Sequence, residues 1–362
     1  MLPEVRENLR DVPEGNPSSP HSEGRAARAA LDRARDLAAQ ALGADRTEIS
    51  FTSSGSEAVN LALFGAARRM TKGTIVTWAA EHQSVLGAVR RLQLEGHAVE
   101  VLGVDGAARA MAGEVPASAA LVSIGLANNE VGTIQPVAEV IDSAHALGAL
   151  VHVDACAGPR WIPVPDGADL VSFSGHKLGG GSGGILFVRD GVRIDPLLYG
   201  GPQEWGRRGG REDVPAAVAV STALSVCVRE RASRAAAAAR QAAVLRALLV
   251  ELGGVLTGGE SRLPNFATCS FEDRRGEDLL LALDLAGVAA SSGSACASGS
   301  LDPSHVLLAM GLTLDQALGS LRLTTGYATT DDEVARAAKI IAGAFPSPLQ
   351  GRGSRRGATV DA

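Results

Sequence analysis

The sequence predicts an α/β fold, with a mostly parallel seven-stranded sheet covered by helices on both faces and a smaller α+β domain after it. Short β-rich runs alternate with helical patterns between Glu48 and Val188, which is typical of such a sheet. An alanine-rich stretch from Asp213 to Leu252 then predicts one or two long helices that lead into the second domain. The chain of 362 residues is 46% hydrophobic, which is enough for a large core and more than one domain.

The individual elements follow from apolar runs bounded by glycine and polar residues. The predicted strands of the large sheet are Ile49 to Thr52, Thr74 to Trp78, Ala98 to Leu102, Ala119 to Ile124, Ala149 to Asp154, Leu170 to Ser174 and Gly184 to Val188. Two of the intervening helices are predicted to stop at Gly96 and Gly148. The smaller domain is predicted to contain strands Ala267 to Phe271 and Ser320 to Leu323, and helices Glu277 to Ala286, Pro303 to Met310 and Asp331 to Ala344.

These elements predict a division of the chain into three parts. Residues 11–230 form the large α/β domain, and residues 1–10 and 231–345 form the small α+β domain. Residues 346–362 lack apolar side chains that could dock, so we expect a disordered tail.

Composition excludes several classes of function. The formal net charge is −6 with both signs mixed along the chain, so no basic face for nucleic acid is expected, and no apolar stretch reaches the ~18 residues of a membrane span. The N-terminus lacks an apolar signal core, which predicts a cytoplasmic enzyme. No set of histidines and cysteines has the spacing of metal ligands, so no structural metal is expected.

The four cysteines divide into two kinds. Cys156, Cys227 and Cys269 lie in apolar or small-residue segments and are expected to be ordinary buried residues. Cys296 lies among Gly, Ser and Ala residues that cannot bury it, which favours an exposed and mobile thiol.

Polar residues follow the predicted strands at their carboxyl ends, where open α/β sheets bind ligands: Ser54, His82, Asn129, Asp154 and Lys177. A lysine amine that forms a Schiff base and a carboxylate that keeps a pyridinium nitrogen protonated are both needed by enzymes that use pyridoxal 5'-phosphate (PLP). Lys177 and Asp154 could supply them. The alternative is a buried ion pair.

The segment after the first strand predicts a phosphate site. Free amides at the helix start, with Gly55 allowing close approach and Ser56 adding a hydroxyl, are suited to bind phosphate, and Ser174 and His176 could add donors. A simple serine N-cap is the alternative.

Three further residues have two interpretations each. His82 could stack on a planar ring and move a proton, or could cap a helix. Asn129 could bind the phenolic oxygen of the cofactor, or could be a turn residue. Arg322 could bind a substrate carboxylate, or could be an edge-strand arginine that points to water.

Taken together, the sequence resembles the group I cysteine desulfurases, the NifS and IscS kind, from about residue 3 to residue 345. The matching blocks are FTSSGSE at 51–57, EH at 81–82, NNEVG at 128–132, HVDA at 152–155, SFSGHK at 172–177, GRRGG at 206–210 and SSGSAC at 291–296.

This resemblance implies a class V aminotransferase relative with the fold of type I PLP enzymes, acting as a homodimer on L-cysteine. It implies that Lys177 is the Schiff-base lysine, that Asp154 binds the pyridine nitrogen and that His82 is the ring-stacking acid and base. It further implies that Cys296 accepts the sulfur as a persulfide for transfer to a sulfur-acceptor or scaffold protein, as in iron–sulfur cluster assembly. The remaining implied contacts are Gly55, Ser56, Ser174 and His176 for the phosphate, Asn129 for cofactor or substrate, and Arg322 for the substrate carboxylate.

The chain departs from the family pattern at several points. Ala157 stands where the family has a glutamine that binds the phenolic oxygen, and Arg211 replaces a threonine that reaches the phosphate of the partner subunit. The chain begins at Met1, where an initial strand and turn of the family should end. Two alternatives therefore remain: a PLP-dependent C–S lyase or related class V enzyme that does not use Cys296, and a catalytically impaired homologue.

Overall fold

The computed structural model describes residues 1–292 and 303–345, so Cys296 and the predicted tail at 346–362 lie outside the described residues. The helices are α1 (Pro3–Asn8), α2 (Ser22–Leu42), α3 (Gly55–Ala67), α4 (Gln83–Leu94), α5 (Val137–Ala146), α6 (Gly175–Leu178), α7 (Val214–Glu251), α8 (Gly276–Leu285), α9 (His305–Ala309), α10 (Leu314–Leu318) and α11 (Asp331–Ala344). The strands are β1 (Ile49–Thr52), β2 (Thr74–Trp78), β3 (Ala98–Leu102), β4 (Ala119–Gly125), β5 (Leu150–Asp154), β6 (Leu170–Ser174), β7 (Gly184–Val188), β8 (Val255–Leu256), β9 (Phe266–Ser270) and β10 (Ser320–Thr324).

The large sheet has seven strands in the order β1-β7-β6-β5-β4-β2-β3. Its neighbours from β6 to β3 are parallel, whereas β7 is antiparallel to both β6 and β1. Since β7 alone is reversed, β1 and β6 run in the same direction, and the carboxyl ends of six strands meet at one edge. The predicted mostly parallel seven-stranded α/β sheet is confirmed.

Apolar residues cover both faces of this sheet. On one face, Leu31 of α2 and Val220 of α7 pack with sheet residues such as Ile124 in one core. On the other face, α3 and α4 pack against Leu121 and Leu186 in a second core. These two layers hold the strand ends that carry the polar residues.

A second, antiparallel sheet has the order β10-β9-β8. It shares a separate core with α8, α11 and the C-terminal part of α7, where Leu245 and Leu249 are buried. The 38-residue helix α7 therefore belongs to both cores: its first half packs on the large sheet and its last turns pack on the small one.

The first helix packs on the large sheet. Leu2 and Val5 are buried in its core, because α1 lies against the first half of α7, and Leu2 N donates to Gly179 O at 2.8 Å. The predicted division into domains remains a prediction. Within residues 1–292 and 303–345, we find no helix with both the length and the hydrophobicity needed to cross a bilayer.

Candidate active site

The structure brings the predicted polar residues together at the carboxyl edge of the large sheet. His82, Asn129, Asp154 and Lys177 line one small cavity, together with backbone and side chains at the ends of β2, β4 and β5. This cavity adjoins an open cavity of about 480 Å³ between the two sheets, whose walls include His176 and Arg322.

Lys177 lies in α6, the single helical turn that follows β6. The turn is held by hydrogen bonds from Gly175 N to Gly183 O at 2.9 Å and from Gly180 N to Gly175 O at 2.8 Å. The lysine side chain is exposed, and among the described residues its amine has no hydrogen-bond or salt-bridge partner. The ion-pair interpretation of Lys177 and Asp154 is therefore not supported by the geometry.

Asp154 is the last residue of β5 and is only 6% exposed. Its Oδ1 accepts a hydrogen bond from Cys156 N at 2.9 Å, which fixes the carboxylate as the chain leaves the sheet. The register pairs Asp154 with Gly125 of β4 and Ser172 of β6, so the carboxylate lies at the centre of the sheet edge.

The first turn of α3 leaves two amides for a ligand. Ser54 is the N-cap: its Oγ accepts from Glu57 N at 3.1 Å, and its carbonyl accepts from Ala58 N at 3.1 Å. The amides of Gly55 and Ser56 come before any intrahelical acceptor. The N-cap and the predicted phosphate site are therefore compatible, because the cap uses only two of the four first-turn donors.

This turn reaches Ser174 only because two positions lack side chains. A Cβ on Gly55 would lie 2.5 Å from Cys156 Sγ and 2.8 Å from Ser174 Cβ. A Cβ on Gly184, the first residue of β7, would lie 2.5 Å from the carbonyl carbon of Ser54, which crosses directly over it. The close approach joins the turn after β1 to the end of β6, two strands away in the sheet.

Arg208 contacts this turn within the same chain, whereas Arg211 is exposed. Arg208 Nε donates to Glu57 Oε1 at 3.1 Å, and Glu57 Oε2 also accepts from Ser53 N at 2.8 Å. The role of Arg211 toward the phosphate of a partner subunit remains a prediction.

His82 is both the N-cap of α4 and a wall of the cavity. Its Nδ1 accepts from Ser84 N at 3.1 Å, so in the neutral ring the proton is on Nε2. Burial lowers the pKa of His82, the cationic Lys177 acts in the same direction, and the negative Asp154 acts in the opposite one. The imidazole is therefore held neutral, with Nε2–H as its donor.

Asn129 and Arg322 are joined by a hydrogen bond from Arg322 Nη1 to Asn129 O at 2.8 Å. Arg322 Nη2 also donates to Ser291 Oγ at 3.1 Å. The guanidinium therefore points toward the cavity rather than to water, although β10 is an edge strand of the small sheet.

Two ionisable residues of the cavity were not assigned a role from the sequence. Glu81 is buried, its Oε1 accepts from Gly125 N at 2.9 Å, and burial together with the nearby charge of Asp154 raises its pKa to about 8. Cys156 lines the cavity, because it follows Asp154 where the chain leaves the sheet. The residue as a whole is half-buried, but burial raises the pKa of its thiol, as expected of a buried cysteine. The sequence feature that could have indicated a role for Glu81 is its position directly before His82 in the Glu-His block.

The chain matches the model of the aminotransferase class V family over residues 3–337. It is 38% identical to the cysteine desulfurase IscS 1 of Archaeoglobus fulgidus, over 95% of this chain and 91% of that protein. The chain belongs to the cysteine desulfurases of the class V aminotransferase family. The solved structures agree: a NifS-like protein superimposes with a TM-score of 0.88 at 34% identity, covering 95% of each chain. A second one, SspA in complex with cysteine, has a TM-score of 0.78 at 29% identity and covers 90% of this chain and 95% of SspA.

Proposed function

We propose that this desulfurase uses PLP to convert L-cysteine to L-alanine and that Cys296 collects the sulfur as a persulfide. The observation that carries the proposal is the meeting at one sheet edge of four features: a buried carboxylate, a neutral imidazole, a lysine and two helix-terminal amides. Among the described residues, the lysine amine and the two amides have no hydrogen-bond partner. Family membership supports the reaction, and the geometry supports the assignment of these residues.

The donor set fits PLP. The first turn of α3, with the amides of Gly55 and Ser56, packs beside Ser174 at the end of β6, and the absence of a side chain on Gly55 permits this close approach. Asp154 offers a buried anion for a pyridinium N–H, and Lys177 offers an amine that has no hydrogen-bond or salt-bridge partner within residues 1–292 and 303–345. Ser174, His176 and, from a partner subunit, Arg211 are the further proposed phosphate contacts.

When bound, PLP supplies an electron sink that stabilises negative charge at the Cα atom of an amino acid. The residues of the chain then handle the protons. Lys177 Nζ is the proposed base for the Cα proton, and the Nε2–H of His82 is the proposed donor on the ring side. Arg322 is the proposed contact for the substrate carboxylate, with Asn129 beside it.

Of the thiols near the cavity, Cys156 is unsuited to accept sulfur. Burial raises its pKa well above the ordinary value, and the Asp154 carboxylate acts in the same direction, so the thiol stays protonated. Cys296 is the proposed acceptor. The net reaction is balanced without an external oxidant: L-cysteine and the Cys296 thiol give L-alanine and the Cys296 persulfide.

Several finer points belong to the same proposal. A homodimer is proposed because the assigned role of Arg211 needs a second subunit. A sulfur-acceptor or scaffold protein is the proposed recipient of the persulfide sulfur, and the cytoplasm, a reducing compartment, is the proposed location.

Mass spectrometry after exposure of the PLP-loaded protein to L-cysteine tests the proposal. We expect one added sulfur atom on the Cys296 peptide, with alanine formed in equal amount, in the wild type and in Cys156→Ala. Cys296→Ala should lose the sulfur adduct, and Lys177→Ala should lose alanine formation. Alanine or pyruvate formed without any adduct on Cys296, at an unchanged rate in Cys296→Ala, would refute the proposed role of this cysteine.

A further inference from the structure

The residues on either side of His82 both bond to one side chain of α9, His305, which no step of the proposed reaction uses. His305 Nε2 donates to Glu81 O at 2.9 Å, and Gln83 Nε2 donates to His305 Nδ1 at 3.1 Å. A carbonyl oxygen can only accept, so the ring proton of His305 is on Nε2, and Nδ1 is left to accept from Gln83. His305 therefore bridges the chain across the residue that is the proposed ring-side proton donor.

The position of this imidazole is set by the packing of α9. Val306 is buried in one core with Ala80, so the helix lies against the segment between β2 and α4. Ser304, the N-cap of α9, is also buried, and its Oγ donates at 2.5 Å to Oε2 of Glu130, in the turn after β4. The first turn of α9, which contains His305, is therefore attached to the sheet edge by apolar packing and by a buried hydrogen bond.

Glu81 is bonded from the side of the large sheet as well. Its Oε1 accepts at 2.9 Å from Gly125 N, at the end of β4, and its backbone amide donates to Trp78 O at 3.2 Å. The bond from His305 to its carbonyl oxygen is a third attachment, on the side of α9. The backbone that leads into His82 is therefore held between the large sheet and α9.

The direction of the His82 ring follows from this backbone. Nδ1 accepts from Ser84 N at 3.1 Å and lies 2.8 Å from Ser84 Oγ, so the ring is tied to the chain two residues further on. Because Nδ1 is bonded within residues 82–84, the Nε2–H group moves together with that segment. The two His305 bonds restrict this movement, and the bond to Glu81 O is the less exposed of the two, so it is the stronger restraint.

Resting on the proposed function, we propose that His305 is a positioning residue for His82, which fixes the direction of the Nε2–H donor by holding residues 81 and 83. Loss of the bond to Glu81 O should let the segment shift, and a displacement on the order of 1 Å can cost about 100-fold in rate. Since Glu81 keeps its attachments to Gly125 and Trp78, we expect a smaller loss of about tenfold.

Two variants of similar size separate the hydrogen bond from the packing. In the PLP-loaded protein, His305→Leu should lower the single-turnover rate of alanine formation by about tenfold and keep the half-saturation concentration for L-cysteine within about twofold. His305→Gln, whose side-chain amide can still donate to Glu81 O, should recover most of the rate. His97→Leu, beyond the other end of α4, is the matched control and should leave the rate unchanged.

A double-mutant cycle tests whether His305 acts through His82. His82→Ala alone should lower the rate by about 100-fold or more, the usual contribution of a positioned proton donor. Adding His305→Leu should then cost less than about twofold more, because the donor that it positions is already gone. A loss from His305→Leu that adds in full to the loss from His82→Ala would overturn the inference, because it would show that His305 acts on the fold or elsewhere in the site.

A second readout needs neither cofactor nor activity: titration of His82 in the PLP-free protein, followed by NMR of isotope-labelled histidines. Burial lowers the pKa of His82, Lys177 and the charge of His305 act in the same direction, and Asp154 acts in the opposite one. Both variants of His305 remove that charge, so a difference between them reports the surroundings of the His82 ring. The pKa of His82 should be higher in His305→Leu than in His305→Gln, because the released segment exposes the ring to water.

Equal pKa values of His82 in the two variants, or an unchanged rate in His305→Leu, would also overturn the inference. Failure of the proposed function gives a different result, because His82→Ala would then form alanine at the wild-type rate, or the wild type would form none.

Discussion

Gly55→Ala should weaken PLP binding through a steric conflict that can be located to two atoms. The new methyl group would lie 2.5 Å from Cys156 Sγ and 2.8 Å from Ser174 Cβ, both closer than nonbonded contacts allow. The first turn of α3 must then move away from the end of β6. The amides of Gly55 and Ser56 would move with it, so the proposed phosphate site would lose its geometry.

The expected cost is about 1–3 kcal/mol, the usual range for an added methyl group in a packed site. If that cost falls on cofactor binding, the Kd for PLP rises by about 5- to 140-fold, since each 1.4 kcal/mol is a factor of ten. PLP titration of the cofactor-free protein, followed by absorbance, measures Kd. Urea unfolding of the cofactor-free protein measures how much of the cost appears as a lower free energy of unfolding.

Two variants make the result specific. Gly55→Ala/Cys156→Ala removes the nearer of the two contacts and should recover part of the lost affinity. Gly87→Ala, in the middle of α4 with nothing within 4 Å of the new Cβ, should stabilise the fold by up to about 1 kcal/mol and leave the Kd unchanged. Unchanged PLP affinity and stability in Gly55→Ala would refute the reasoning.

Three other variants test buried ionisable side chains. The pKa of Glu81 is about 8 in the fold against an ordinary value of 4.5, so the unfolded chain releases this proton first and stability falls as pH rises from 4.5 to 8. Glu81→Gln should therefore gain on the order of 3 kcal/mol in urea unfolding at pH 7 and little at pH 5, and an equal gain at both would contradict this. His152 has the opposite sign: its pKa is about 4 in the fold against 6.5, so stability falls as pH decreases from 6.5 to 4. His152→Gln should reduce the loss between pH 7 and 5 by on the order of 2 kcal/mol, and an unchanged pH dependence would count against it. Arg35→Ala leaves Glu204 buried without its bidentate partner, and thermal unfolding should report a loss on the order of 3–5 kcal/mol, partly recovered by adding Glu204→Gln.

Much of the large sheet could be predicted because its strands are short apolar runs with clear boundaries. β1, β2, β3, β6 and β7 have the predicted limits, and β4 and β5 differ by one residue each. The alanine content predicts the long α7 but does not decide between one helix and two, because periodicity does not show whether an apolar helix bends. The two-residue strand β8 was missed, since Val255 and Leu256 are too few to form a pattern.

The candidate site could be predicted where each residue stands at a strand end. His82, Asn129, Asp154 and Lys177 meet because strand direction alone decides which loops share an edge. The contact between Glu130 and Ser304 could not be foreseen, because it joins positions 174 residues apart through packing of α9 against the sheet edge. The position of Cys156 in the wall of the cavity could not be foreseen either, because it depends on how the chain leaves β5.

Gly184 shows that a residue without a reactive side chain can be as intolerant of substitution as Lys177. It adopts no left-handed backbone conformation, so an L-amino acid would be tolerated by its torsion angles, yet Ser54 occupies the space where a side chain would go. Directed evolution that diversifies only the cavity walls would leave this crossing point untouched. A library that includes β7 would find that side chains are excluded at position 184. The cause is the path of the main chain at Ser54 and not a role of Gly184 in the reaction.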